Sequence, residues 1–219
     1  FCATGEIGVL LMRGPNVFPG YLDPSDDSTA WVVGADRRRW FNSGDLARRD
    51  EDGYLWLAGR AKDLIIRGGH NIDPQVIEEC LCEHPDVALA AAVGQPDAHA
   101  GEVPMAYVVL REGSTASSEA LREFAAGRIP ERAAVPVRIE IIAQMPVTAV
   151  GKIFKPRLRH LAIERVCGEL LQAKGIEASV TVRDDKRLGT VAAIRLADAA
   201  IRDTATAALA RLPVAIEFV

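Results

Sequence analysis

The sequence has 219 residues, 49% hydrophobic and 26% charged, with four cysteines and a formal net charge of −4, the composition of an ordinary globular protein of one large or two small domains. The acidic balance excludes the concentrated basic face of a nucleic-acid binder, and no stretch approaches the roughly 20 apolar residues of a transmembrane segment. Without a signal-peptide pattern, and with Cys2, Cys80, Cys82 and Cys167 lacking zinc-site spacing or disulfide density, a soluble protein of the reducing cytoplasm is expected.

The chain opens at Phe1 rather than methionine and runs at once through Gly5-Glu6-Ile7-Gly8-Val9-Leu10, a strand entered from a turn, so a fragment is expected. Residues 1–58 alternate short strand signals with turns such as Arg13-Gly14-Pro15-Asn16 and Asp50-Glu51-Asp52-Gly53. The second of these should join Trp40–Leu46 to Tyr54–Leu57 in a hairpin. Arg37, Arg38 and Arg39 form the basic run, expected on a solvated loop.

At Gly59 the character changes. A strand over about Asp63–Arg67 and a glycine pair lead to a helix with Asp73 as N-cap and Pro74 at its first position. Its apolar positions are Val76, Ile77, Cys80 and Leu81, leaving Glu78, Glu79 and Glu83 toward solvent. Cys80 and Cys82 then stand about 200° apart around the helix axis, unsuited to one metal ion. Val87–Val93 and Val103–Leu110 read as buried strands on either side of a loop with Asp97 and His99. A helix capped by Ser117 or Ser118 follows, then a strand at Val137–Ile142 and a loop from Gln144 to Gly151 leading to a helix near Lys155. The tail offers strands near 179–182 and 190–196, a helix over about 198–212 and a last strand at 214–218. The predicted fold class is α+β: a β-rich segment (1–58), a small mixed α/β domain (59–165) and a βαβ-like tail (166–219).

Three motifs carry candidate chemistry. In Trp40-Phe41-Asn42-Ser43-Gly44-Asp45-Leu46, a small hydroxyl residue and a glycine hold Asp45, whose carboxylate is suited to accept two vicinal hydroxyls; Gly-Asp is also a common turn. Gly59-Arg60-Ala61-Lys62-Asp63 sits at the composition boundary, where charged residues suit a hinge, and Gly68-Gly69 would let a thin ligand approach the backbone. Pro146-Val147-Thr148-Ala149-Val150-Gly151-Lys152-Ile153 presents a lysine on a loop. It is not a phosphate-binding P-loop, because Pro146 and Ile153 occupy positions that need glycine and a hydroxyl residue. A lysine so placed suits an oxyanion at phosphate.

Taken in order and spacing, and with Arg13-Gly14-Pro15-Asn16-Val17-Phe18-Pro19-Gly20-Tyr21 upstream, these motifs resemble the adenylate-forming superfamily of acyl-CoA synthetases, peptide-synthetase adenylation domains and luciferases. The resemblance covers about residues 5–160. It implies an acid–thiol ligase using ATP with Mg2+ and coenzyme A, in which Asp45 binds ribose hydroxyls, Arg60 lies near the nucleotide, Lys62 is the hinge, Gly68 and Gly69 line the pantetheine path, and Lys152 is the adenylation lysine. Ser43 stands where the family more often has threonine. The family's Gly-, Ser- and Thr-rich phosphate loop and its Tyr-Gly-x-Thr-Glu signature are absent, so an N-terminal AMP-binding domain is the implied partner and the fragment alone is expected to be inactive on its small carboxylic acid. Pro146–Lys152 also resembles a lysine acetyltransferase target. Two other readings stay open: an adenylation domain that loads a carrier protein, and a non-catalytic module that kept the fold. The tail has no family role; it is a packed appendage or a homo-oligomer contact.

Overall fold

The computed structural model describes residues 2–185 and 187–219, without the side chain of Asp26. Phe1, with which the first expected segment opens, and Lys186 lie outside the described residues. The chain divides between Asp63 and Leu64 into two compact units.

The first unit contains β1 (Ile7–Met12), α1 (Asp27–Ala30), β2 (Trp31–Val33), β3 (Arg39–Arg49) and β4 (Leu55–Arg60). The long strand β3 is central: Phe41 pairs with Met12 on one edge and Trp31 on the other, and Ala47 pairs with Gly8 and Leu57 in the same way. The expected hairpin forms because Asp50 organises its turn, accepting the Tyr54 N–H (2.8 Å) and the Trp56 indole N–H (2.6 Å). Those bonds, the indole's first, hold the Asp50 carboxyl below its usual range. Arg39 is not a loop residue: it begins β3, with its guanidinium 4.5 Å from the Trp31 ring centre and 3.5 Å from Asp27.

The second unit has one five-stranded sheet and one three-stranded sheet. The first holds β5 (Ile65–Arg67), β6 (His70–Ile72), β7 (Val87–Asp97), β8 (Gly101–Leu110) and β9 (Arg138–Ile141), in the order β6-β5-β8-β7 with β9 parallel to β8. The helices α2 (Pro74–Cys82) and α3 (Ser118–Ala126) cover one face, and α4 (Lys155–Gln172) packs on the other. This explains the uninterrupted apolar runs, since a strand covered on both sides has no polar alternation. Ala90, Ala92, Ala106 and Val108 pack toward Ile77, Leu81 and Leu121, while Ala91, Val93, Met105 and Tyr107 pack toward Leu158 and Ala162.

Asp73 caps α2 as expected, accepting the Gln75 N–H at 2.9 Å, and Ser117 caps α3 through the Ala120 N–H. The polar face assigned to α2 needs correction. Val76 is 44% exposed, whereas Glu78 is drawn in against β7, because its carboxylate meets a backbone donor there. Strand β6 has no counterpart among the expected elements, because three residues between a glycine pair and a helix cap give no periodicity to read.

The last elements are β10 (Ala178–Asp185), β11 (Gly189–Leu196), α5 (Arg202–Leu209) and β12 (Ala215–Phe218). Strands β11 and β12 are parallel with α5 between them in sequence. Position 165/166 falls within α4, whose second half packs Ile163, Cys167 and Leu171 against Ile194, Ala205 and Leu209. One helix therefore serves two cores.

Candidate functional site

The candidate residues fall on both units, and each group has its own local cause. Asp45 stands on β3 directly opposite Arg60 on β4, with Arg60 Nε 3.4 Å from Asp45 Oδ1. A register shift follows at once between Asp45 and Ala47, the kind of bulge that re-aims a side chain. The preceding residues make the bend: Gly44 takes a positive φ of 73°, its N–H donates to Asn42 Oδ1, and Ser43 Oγ accepts the Asp45 N–H (3.0 Å) while donating to Leu10 O (2.9 Å). The serine hydroxyl thus bridges two strands around the carboxylate. Upstream, Phe18 of the Arg13–Tyr21 segment packs on Tyr21 and Phe41, each at 5.1 Å between ring centres, and so fixes that segment over β3.

Lys62 lies in a short 3-10 turn, Ala61–Asp63, that ends the first unit. In the second unit, Gly68 and Gly69 are the two central residues of the β5–β6 hairpin, between paired Arg67 and His70. Both have positive φ, 58° and 84°, as a two-residue turn of this hand requires. No atom lies within 4 Å of where a Cβ would stand on either glycine. The Gly68 N–H donates to Ala100 O at 2.7 Å, tying this turn to the one between β7 and β8. There Asp97 Oδ1 accepts the N–H groups of His99 and Ala100, both at 2.8 Å. Those bonds, Ala100's first, hold the Asp97 carboxyl below its ordinary range.

Lys152 is exposed at the end of a loop that is closed rather than loose. The Thr148 N–H donates to Lys152 O (2.7 Å), the Lys152 N–H donates to Thr148 Oγ1 (3.2 Å), and the Phe154 N–H donates to Pro146 O (2.8 Å). Gly151 supplies the positive φ (79°) that turns the chain, and Met145 and Ile153 pack at the loop's two ends. The Lys152 side chain has no hydrogen bond or ion pair among the described residues. Its ammonium is presented to solvent on a fixed root.

Sequence reasoning missed the support of that root. Lys155 Nζ lies 2.7 Å from Glu78 Oε1, the same oxygen that accepts the Ala92 N–H at 2.8 Å, so one carboxylate joins α2, β7 and the first residue of α4. The signal was hidden because Glu78 follows the helical polar pattern; only the turn of α2 toward β7 shows its partner.

Residues 76–152 match the model of the AMP-binding enzyme C-terminal domain. Among known proteins, the chain is 49% identical to the marinolic acid–CoA ligase of Pseudoalteromonas sp. (strain SANK 73390), over 90% of this chain and 30% of that protein. It is 40% identical to the indoleacetate–CoA ligase of Aromatoleum aromaticum, over 74% of this chain and again 30% of the relative. The chain therefore spans about 30% of the length of these relatives. A match over 90% of the chain also runs well into the residues after 165. Among solved structures, ATP-bound MatB from Rhodopseudomonas palustris superposes with a TM-score of 0.65 at 32% identity, covering 73% of this chain and 31% of that one. The amide bond synthetase McbA from Marinactinospora thermotolerans superposes with a TM-score of 0.62 at 35% identity, covering 72% and 32%. The chain carries the C-terminal domain of the AMP-binding, adenylate-forming enzymes.

Proposed function

We propose that this AMP-binding enzyme C-terminal domain is the C-terminal part of an ATP-dependent acid–CoA ligase, with Lys152 as its adenylation lysine. The observation that carries the reading is the Lys152 ammonium, held without a partner among the described residues on a loop closed by backbone hydrogen bonds, within the matched segment. A cation presented this way is free to meet charge that develops on a ligand.

In the first half-reaction a carboxylate oxygen attacks the α-phosphorus of ATP, supplied with Mg2+, and the bond to pyrophosphate breaks. Lys152 offsets the negative charge on the phosphoryl oxygens. Asp45 accepts the ribose hydroxyls: its Oδ1 is engaged with Arg60, and Oδ2 has no partner among the described residues. In the second half-reaction the CoA sulfur attacks the acyl carbon, AMP leaves, and the thiol proton passes to solvent. Lys62 is the pivot, and the bare Gly68-Gly69 turn lines the path of the pantetheine arm. The large domain that completes the site, and with it the carboxylic acid, belong to the longer protein. Acetylation of Lys152 by a lysine acetyltransferase would remove the charge and stop the first step.

Pyrophosphate release by the full-length protein, assayed with a panel of carboxylic acids, tests the reading; loss of release in Lys152→Ala is expected, and unchanged release would overturn it. The likeness to an amide bond synthetase supports a second reading, in which the adenylate passes to an amine. Offering CoA, a carrier protein and amines to the preformed adenylate separates the acceptors.

A further inference from the structure

We propose that Arg211 and His99 form a binding site for a phosphate group of the CoA nucleotide, built by the segment that follows α4. The inference rests on the CoA reading above and extends it to residues for which the motifs supply no role.

Arg211 follows α5 and is held between two buried leucines, Leu209 (1% exposed) and Leu212 (8%), with the Leu212 N–H donating to Leu209 O at 3.0 Å. Its own side chain is not part of that core. Its guanidinium reaches across the unit, with Nη2 2.8 Å from Nδ1 of His99, a residue 112 positions earlier. A guanidinium only donates, so Nδ1 is the acceptor and a neutral His99 ring carries its proton on Nε2. Arg211 keeps further N–H donors, and both residues are exposed.

This pair stands on the turn that braces the glycine hairpin. His99 and Ala100 are fixed by the Asp97 carboxylate, and Ala100 O accepts the Gly68 N–H. Oδ1 of the one carboxylate in the turn is engaged by two backbone donors, and the remaining guanidinium N–H groups of Arg211 and the His99 Nε2 have no hydrogen bond among the described residues. If the pantetheine arm passes the bare glycines, the polyanionic end of the same molecule lies on the adjoining surface. A planar cation with several donors beside a neutral imidazole N–H is suited to a phosphate oxygen pair.

The test uses the full-length protein, with the acyl-adenylate formed first and the acyl transfer then measured against CoA, dephospho-CoA and pantetheine. Arg211→Ala is expected to raise KM for CoA about ten-fold, the loss of one charge-assisted phosphate contact, with KM for pantetheine and the rate of pyrophosphate release unchanged. Arg211→Lys should fall between, since it keeps the charge and loses the planar donors. A smaller effect with dephospho-CoA assigns the contact to the 3′-phosphate; an equal one assigns it to the diphosphate. An equal rise for CoA and pantetheine would show that Arg211 only buttresses the turn, and an unchanged KM for CoA would remove the site altogether. If the wild-type protein makes adenylate and transfers it to none of the three thiols, the CoA reading fails and this site fails with it.

Discussion

Glu78 holds Lys155: one carboxylate oxygen accepts the Ala92 N–H at 2.8 Å and lies 2.7 Å from the Lys155 ammonium, three residues beyond Lys152. Both side chains are largely buried, 21% and 17% exposed. A lysine at a helix N-terminus opposes the helix dipole, so the carboxylate offsets an otherwise unfavourable placement. Glu78→Ala leaves a largely buried ammonium and a strand N–H without their acceptor, and should lower unfolding free energy by about 1–3 kcal/mol in urea titrations. Gln75→Ala, one turn away on the exposed face of α2, should change it by less than about 0.5 kcal/mol. Equal losses in the two variants would show that Glu78 holds nothing.

Lys152→Ala separates chemistry from stability. Since the side chain is exposed and has no partner among the described residues, thermal melting should match the parent protein within about 1 °C, the size of a small surface effect. Pyrophosphate release by the full-length protein should drop about 100- to 1000-fold, the usual cost of one charge-stabilising donor at a reacting centre. A large fall in melting temperature would instead make Lys152 a structural residue.

The glycine turn gives the opposite pattern. Gly69→Ala meets no atom in space, yet it forces an L side chain to a φ of 84°, at a cost of about 1–2 kcal/mol in unfolding titrations. The full-length variant should slow acyl transfer to CoA while leaving adenylate formation near its starting rate. A defect confined to adenylation would take the turn out of the thiol's path.

Cys167 lies in the core shared by α4 and the tail sheet, and burial pushes its thiol up from 9.0 to about 11. A thiol raised in the folded state releases its proton sooner when unfolded. Its contribution is therefore intact below pH 9 and is lost as pH rises toward 11, by up to about 2–3 kcal/mol for two units. Comparing the pH dependence of stability with Cys167→Ala should show a shallower decline over that window in the variant. A thiol reagent at pH 8 should label exposed Cys2 and Cys82 well before Cys167. Labelling of all three at one rate would show that the core opens freely.

The hairpin of β3 and β4, the Asp73 and Ser117 caps, the buried β7–β8 pair and the four tail elements could be read in advance, because turn chemistry, capping and apolar periodicity are local. The signature residues could be read too, as spacing. The sequence could not show β6, which has three residues, nor that the Asp45 carboxylate would face Arg60. That pairing depends on the register of two strands, set by the Asp50 turn and a bulge.

By itself, then, the sequence determined the α+β class, the order of the elements and the residues that name the family, since each depends on side chains near one another along the chain. Tertiary structure alone decided the partners of Glu78 and His99 and the double role of α4. Glu78 has the pattern of a solvent-facing helix residue until β7 brings a backbone N–H to it, and His99 is a loop residue until Arg211 reaches it across 112 positions. Periodicity reports only which face of an element is apolar; which donor meets an acceptor is settled when separate elements pack and their buried polar groups must pair.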